Sequence, residues 1–229
     1  LYLEKVRSDF VANASHELKT PIAAIRGLVE TIIDDSSMDK VTVDTFLSRI
    51  KNQAIRLDTI VQDLIQLSRF DVQETNRKND KLDLGALLVR VYEARLEDAE
   101  ARGVTLALDV PSKPVIINGE GEAVEQMVAN LLENALKYSG EKGQGKLKLE
   151  NITQMARVQV SDNGIGIPLE EQERVFERFY RVDRGRSRHQ GGTGLGLSIV
   201  KHIVNAHGGE ITIKSELDKG TIFEVLLPT

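Results

Sequence analysis

Ser15-His16-Glu17-Leu18-Lys19-Thr20-Pro21 sets an imidazole, a carboxylate and a hydroxyl side by side near the start of the chain. At about 100° per residue, His16 and Thr20 share a helix face, with Glu17 next to them. The apolar residues Val11, Ala14, Leu18, Ile22, Ile25, Val29 and Ile32 form a stripe on another side. The ring is thus expected to face solvent beside an acid, an arrangement suited to chemistry. A lone surface histidine is ordinarily just solvated, but Pro21 argues for more. Inside an otherwise continuous helical pattern it removes one hydrogen bond and costs about 3 kcal/mol, which predicts a local bend or looseness that is used.

Four further stretches, well separated along the chain, carry residues that a core does not need. Asn130, Asn134 and Lys137 recur at i, i+4 and i+7 of one helix. Amide oxygens suit a hard cation such as Mg2+, and a lysine can reach the phosphates that such a cation binds. Asp162-Asn163-Gly164-Ile165-Gly166-Ile167-Pro168 follows a strand pattern. Its glycines would let backbone approach a flat ligand, and its aspartate could accept from an exocyclic amine such as adenine's; a plain Asn-Gly turn is the other reading. Gly191-Gly192-Thr193-Gly194-Leu195-Gly196-Leu197 opens a helix, where backbone N–H groups make a cradle for anions. It matches neither the dinucleotide fingerprint nor a Walker loop. Between the last two lie Phe176-Glu177-Arg178-Phe179-Tyr180-Arg181 and a polar run with Arg184, Arg186 and Arg188, which reads as a mobile lid able to clamp a phosphate or as a solvated loop.

The elements that must position these groups fall into two sets. A helix to about Ile33 and another from about Thr42 to Phe70, with Phe46, Ile50, Gln53, Leu57, Ile60, Leu64 and Leu67 spaced by four and three, predict an antiparallel hairpin. Asp34-Asp35-Ser36-Ser37 supplies the turn. A second apolar row, Val11 and Ile33 with Leu47, Ala54 and Val61, predicts pairing of two hairpins into a four-helix bundle, hence a homodimer. Between Asp71 and Asp83 the sequence turns polar, from Gln73 to Asp80, and reads as a linker between domains. Beyond it the pattern turns to mixed helix and strand. Helices are expected near Leu84–Ala101, Glu122–Tyr138, Glu170–Glu177 and Leu197–His207. Strands are expected near Val104–Val110, Val115–Ile117, Lys146–Asn151 and Arg157–Asp162, with a final hairpin of Ile211–Ser215 and Thr221–Leu227. His189, His202 and His207 read as loop, helix surface and helix end.

Composition narrows the function. With 229 residues, 41% of them hydrophobic, the chain can bury one good core or two modest ones. A net charge of -5 argues against a general nucleic-acid binder. The absence of cysteine excludes disulfides and thiolate zinc sites. No apolar run is long enough to span a bilayer, which predicts a soluble cytoplasmic piece, and the helical pattern already running at Leu1 predicts chain upstream.

Taken in order, these stretches resemble the sensor histidine kinases of two-component signalling: Ser15 to Pro21 its H box, Asn130 to Ser139 its N box, Asp162 to Pro168 its G1 box, Phe176 to Arg181 its F box and Gly192 to Leu197 its G2 box. Phe179 through Gly209 is most similar to the phosphate-sensing PhoR type. The resemblance implies an α+β protein: a helical hairpin forming a dimeric four-helix bundle over residues 1–75, a linker over 76–83, and an α/β sandwich ATP-binding domain of the gyrase, Hsp90 and MutL type over 84–229. It implies that His16 accepts the γ-phosphoryl of ATP with Glu17 as acid–base partner, and that the group then passes to an aspartate of a response regulator. Asn134 would hold Mg2+, with Asn130, Lys137 and Tyr138 at the phosphates. Asp162, Gly164 and Gly166 would take the adenine, Gly192, Thr193, Gly194, Leu195 and Gly196 would wrap the phosphates, and Arg181 would stabilise the transferring group. Thr20 matches the position from which bifunctional members dephosphorylate the regulator. A membrane would be met only through segments outside this chain, as in a sensor anchored in the inner or plasma membrane.

One departure from the wider superfamily is informative. Gyrase-type ATPases carry a glutamate one helical turn before the metal-binding asparagine; here Asn130 stands there and cannot act as a general base. That disfavours a freely hydrolysing ATPase. A degenerate kinase acting only as a scaffold is the other rival.

Overall fold

The computed structural model describes residues 2–72, 80–140, 142–182 and 192–229. Two long helices, α1 (Tyr2–Asp34) and α2 (Lys40–Val72), form the hairpin. Asp35 accepts hydrogen bonds from the N–H and hydroxyl of Ser37, and Asp39 accepts from both groups of Thr42, so Asp39 caps α2. The expected α2 seam is observed: Ile60 and Leu67 are buried, and Phe46, Ile50, Gln53, Leu57 and Leu64 are half-buried.

On α1 the seam differs from the expected stripe. Ile22 and Val29 are exposed, whereas Pro21 is buried and Ala14, Leu18, Ile25, Leu28 and Ile32 are half-buried, a regular four-three alternation. Helix α1 also continues through Pro21 without interruption. The proline is tolerated because its ring, a compact apolar group, fills the seam against α2, offsetting the lost hydrogen bond.

The remaining elements make a layered α+β domain. A five-stranded mixed sheet has the order β2 (Thr105–Asp109), β4 (Gln144–Ile152), β5 (Met155–Asp162), β7 (Gly220–Pro228), β6 (Glu210–Glu216); only the β2–β4 pair is parallel. β1 (Asp80–Asp83) pairs with β3 (Ile116–Gly119) beside it. Strand residues alternate between buried and accessible, so one face is covered by α3 (Leu84–Ala94), α5 (Gly121–Tyr138) and α6 (Gly196–Ala206), while the other carries charged pairs such as Arg157 with Glu150. Helix α5 is buried along Val124, Met127, Val128, Leu131, Leu132 and Ala135.

Three boundaries depart from expectation. Of the expected linker, residues 73–79 lie outside the described residues, and 80–83 form β1, because Leu82 sits opposite Ile117 and the domain gains a covering ribbon. The helix expected over Leu84–Ala101 is broken at Arg95 into α3 and α4 (Leu96–Ala101). The helix expected near Glu170–Glu177 is two short 3-10 turns, Leu169–Glu171 and Arg174–Phe176, the second with its Phe176 ring edge-on to Phe223 at 6.2 Å. Among the described residues no helix is long and apolar enough to cross a membrane.

Candidate functional site

His16 is exposed on α1, as its position on the wheel predicts. Thr20 donates its hydroxyl to the His16 carbonyl at 3.2 Å, the usual back-bond of a helical threonine. Glu17, half-buried, accepts from Arg56 of α2 at 3.2 Å. The imidazole is therefore presented to solvent by a helix whose neighbouring acid is tied to the hairpin partner.

The other predicted residues gather at the C-terminal half of α5. Lys137 and Tyr138 adjoin there, with the ammonium 5.1 Å from the Tyr138 ring centre. The end of this helix meets the stretch after β5: Ile165 donates its N–H to the Tyr138 carbonyl. Gly164 is the residue that permits this approach, since a Cβ there would stand 2.1 Å from the same carbonyl oxygen. Asp162 accepts from the Gly164 N–H at 2.9 Å, and burial pushes its carboxyl above the ordinary range despite that bond and one from the Thr221 backbone. Gly166 lies against the end of β6 at Glu216.

From the opposite side, the glycine stretch closes on the same helix. Asn130 donates its amide to the Gly196 carbonyl at 3.3 Å, and Gly192 lies so close to Lys137 that a Cβ there would come within 2.5 Å of Nζ. Gly194 has φ +74° and accepts from the Phe179 N–H at 2.8 Å, while Phe179 itself stands at φ 64°, a conformation rare for an aromatic residue. That bond ties the Phe176–Arg181 segment to the glycine stretch. Thr193 and Leu195 are buried, and Thr193 accepts from the Leu195 N–H.

The electrostatics suit an anion. Burial pulls the Lys137 ammonium down to about 8, with the positive charge of Arg181 adding to the shift, Glu133 opposing it, and Arg102 and Arg56 contributing less. Arg181 and Lys137 thus feel each other's positive charge, which an anion between them would relieve. Asn134 is half-buried, and its side chain makes no hydrogen bond to another described residue. A neutral hard oxygen donor in that position fits Mg2+, which keeps most of its water and shares phosphate oxygens. Among the described residues no cluster of acidic or histidine side chains could cage a metal unaided. The lid residues Arg184, Arg186 and Arg188, and His189, lie outside the described residues.

Sequence reasoning missed the pairings that join the two halves. Thr193 donates to Asp63 of α2, Gln126 of α5 meets Gln66, and Leu67 is buried in the core of the second domain. Burial pushes Asp63 up to about 6, opposed by the Thr193 hydrogen bond and raised further by Glu133. Thr193 and Leu67 are marked by the glycine stretch and the α2 seam, but no local pattern marks these pairings, because the partners lie far along the chain. His202 is half-buried rather than on the surface. His207, at the end of α6, accepts from the Glu120 N–H through Nε2 and meets the Ile203 carbonyl through Nδ1.

Residues 6–73 match the family described as His Kinase A (phospho-acceptor) domain, and residues 119–229 that described as Histidine kinase-, DNA gyrase B-, and HSP90-like ATPase. The chain is 39% identical over 223 residues to the sensor histidine kinase RppB of Synechocystis sp., covering 97% of this chain and 49% of that protein. It is 35% identical over 228 residues to the sensor histidine kinase WalK of Bacillus subtilis, covering 99% and 37%. The chain thus spans about half or less of these relatives' length. Among solved structures it is similar to the Acinetobacter baumannii histidine kinase AdeS, with TM-score 0.73 and 28% identity over 93% of this chain and 97% of that one. It is also similar to the histidine kinase ThkA, solved in complex with the response regulator protein TrrA, with TM-score 0.80 and 25% identity over 99% and 63%.

Proposed function

Carrying both a phospho-acceptor and an ATPase domain, the chain belongs to the sensor histidine kinases of two-component signalling, and from that premise we propose that it phosphorylates itself on His16 from ATP and passes the group to an aspartate of a response regulator. One observation carries the reading. Three separated segments, residues 162–166, 179–181 and 192–196, gather around the C-terminal half of α5, in a domain packed against the helical hairpin that presents His16 to solvent, and this supports reading the gathering as a pocket for adenine and phosphates.

In this reading Asp162 accepts from the adenine amine between Gly164 and Gly166. Asn130, Lys137, Tyr138 and the stretch Gly192, Thr193, Gly194, Leu195 and Gly196 hold the phosphates, and Asn134 supplies a metal ligand. Bound Mg2+ would draw charge from the phosphates. A neutral His16 ring attacks the γ-phosphorus with one nitrogen, the bond to the β,γ-bridging oxygen breaks with its electrons leaving on ADP, and Glu17 takes the proton from the other nitrogen. Arg181 offsets charge on the group in flight. Because Asn130 cannot activate water, hydrolysis does not compete, and the phosphoryl waits for the hairpin. The chain would be the cytoplasmic part of a membrane-anchored sensor, with residues 1–75 as phospho-acceptor domain, 76–83 joining it to the catalytic domain and 84–229 binding ATP.

Exposure of Val11, Ile22, Val29 and Ile33 on α1 and of Leu47, Val61 and Ile65 on α2 supports a homodimer whose hairpins pair into a four-helix bundle. Sedimentation of wild type and Leu47→Asp checks this; a wild-type monomer would end it. The ThkA complex with TrrA supports a receiver domain as second partner, with Thr20 orienting water for the reverse reaction. The kinase reading is tested by incubation with radiolabelled ATP and Mg2+. Acid-labile, base-stable label is expected, and its persistence in His16→Ala would refute the assignment.

A further inference from the structure

Arg56 of α2 reaches across the hairpin and donates from one terminal nitrogen to Glu17 Oε2 at 3.2 Å. Its side chain is only 12% exposed, that of Glu17 26%. The Arg56 Nε is buried and finds no partner among the described residues. A guanidinium held this way is a poor device for stability: burying it with one good bond leaves a desolvation cost that an apolar residue of similar volume would avoid. A hairpin seam of leucines and isoleucines has no structural use for it.

The backbone at the same place is also unusual. An α-helical carbonyl accepts from the N–H four residues on, and for Glu17 that residue is Pro21, which has none. The helix ladder is therefore interrupted at the residue following His16. The bond from Arg56 supplies a lateral restraint where the longitudinal one is missing. It engages Oε2, and Oε1 makes no hydrogen bond to another described residue. The Arg56 charge also adds slightly to the lowering at Lys137.

We propose that Arg56 is a positioning residue for phosphoryl transfer to His16: it anchors one oxygen of the Glu17 carboxylate so that the other is left to take the ring proton. The inference rests on the reading of Glu17 as acid–base partner of His16. Arg56 makes and breaks no covalent bond. Its part is to reduce the rotamers open to a glutamate whose backbone carbonyl lacks its ladder hydrogen bond, and so to keep the acceptor of the ring proton beside the ring when the γ-phosphorus arrives.

The test is the initial single-turnover rate of autophosphorylation of the full chain against the concentration of radiolabelled ATP, with kcat the limiting rate constant and KM the half-saturating ATP, for wild type, Arg56→Gln, Arg56→Lys, Glu17→Gln and the double variant Arg56→Gln/Glu17→Gln. Arg56→Gln is expected to lower kcat at least about tenfold with KM for ATP changed by less than about twofold, and Arg56→Lys to recover part of the loss. In the Glu17→Gln background, Arg56→Gln should cost nothing more, since the arginine acts only through the carboxylate. Equal losses in both backgrounds, a raised KM with unchanged kcat, or wild-type rates in Arg56→Gln while Glu17→Gln is impaired would each overturn the proposal and leave the reading of Glu17 intact. Wild-type rates in Glu17→Gln would remove that reading and the proposal together. If Arg56→Gln fails to fold by circular dichroism, Arg56→Lys alone and combined with Glu17→Gln gives the same comparison.

Discussion

The Thr193 hydroxyl donates a 2.7 Å hydrogen bond to Asp63 Oδ2, joining the glycine stretch of the nucleotide pocket to the helical hairpin across 130 positions of sequence. The contact places a carboxylate beside the stretch proposed to hold phosphates, with Glu133 of α5 as its charged neighbour and Thr193 as its donor. It links how the ATP domain sits on the hairpin to the conformation of the stretch that would wrap the triphosphate.

Asp63 gives that link a pH dependence of defined sign. Burial pushes its folded carboxyl up to about 6 from the ordinary 3.8, so between those limits the folded protein holds a proton that the unfolded chain has released. Stability from this group is present below the unfolded value, falls as pH rises through about 6, and is flat above. The stability difference between Asp63→Asn and wild type, taken from melting curves, should therefore widen from pH 4 to pH 6 in favour of the variant, by on the order of 2 kcal/mol across that range. A difference independent of pH by calorimetry would contradict it.

Asp162 is half-buried beneath the approach of Gly164 and accepts from its N–H. Asp162→Ala removes both the backbone anchor and the acceptor for an exocyclic amine. Calorimetric titration should show ATP affinity falling at least about tenfold, and preference for ATP over GTP lost with it. Retained preference would place the adenine elsewhere.

Gly164→Ala sets a methyl group 2.1 Å from a backbone oxygen that cannot rotate away. The loop after β5 must then lift from the end of α5, at a cost of about 1 to 3 kcal/mol, and should carry Asp162 out of register with Tyr138. Urea unfolding should show the loss, and nucleotide binding should weaken beyond what stability alone explains.

His207→Ala separates structure from chemistry. The ring fills the space beside Gly119, accepts from Glu120 at the start of α5 and meets Ile203 within its own helix. Its removal leaves a partly buried N–H without a partner, worth about 1 to 2 kcal/mol. Denaturant unfolding should move while the KM for ATP stays unchanged.

Periodicity and residue chemistry made much of this protein legible before any coordinates. The α2 seam from Phe46 to Leu67, the outward His16, the buried side of α5 and the strands β4, β5 and β7 follow from local patterns of burial. So does the grouping of Asn130, Asn134 and Lys137, because residues that share a helix face are set by a fixed rotation per residue. Pairing and partner choice were not legible. Leu82 became strand only because Ile117 lies opposite it, Pro21 became core because α2 covers it, and the segment after Leu169 coiled into 3-10 turns because Phe176 had to meet Phe223.

What the sequence alone determined was which polar and glycine residues are not needed by a core and which histidine faces water. The tertiary structure decided which of them meet. The contacts of Arg56 with Glu17, Asp63 with Thr193 and Gly164 with the Tyr138 carbonyl span long stretches of chain, and their energies depend on burial and on a partner that no local window contains.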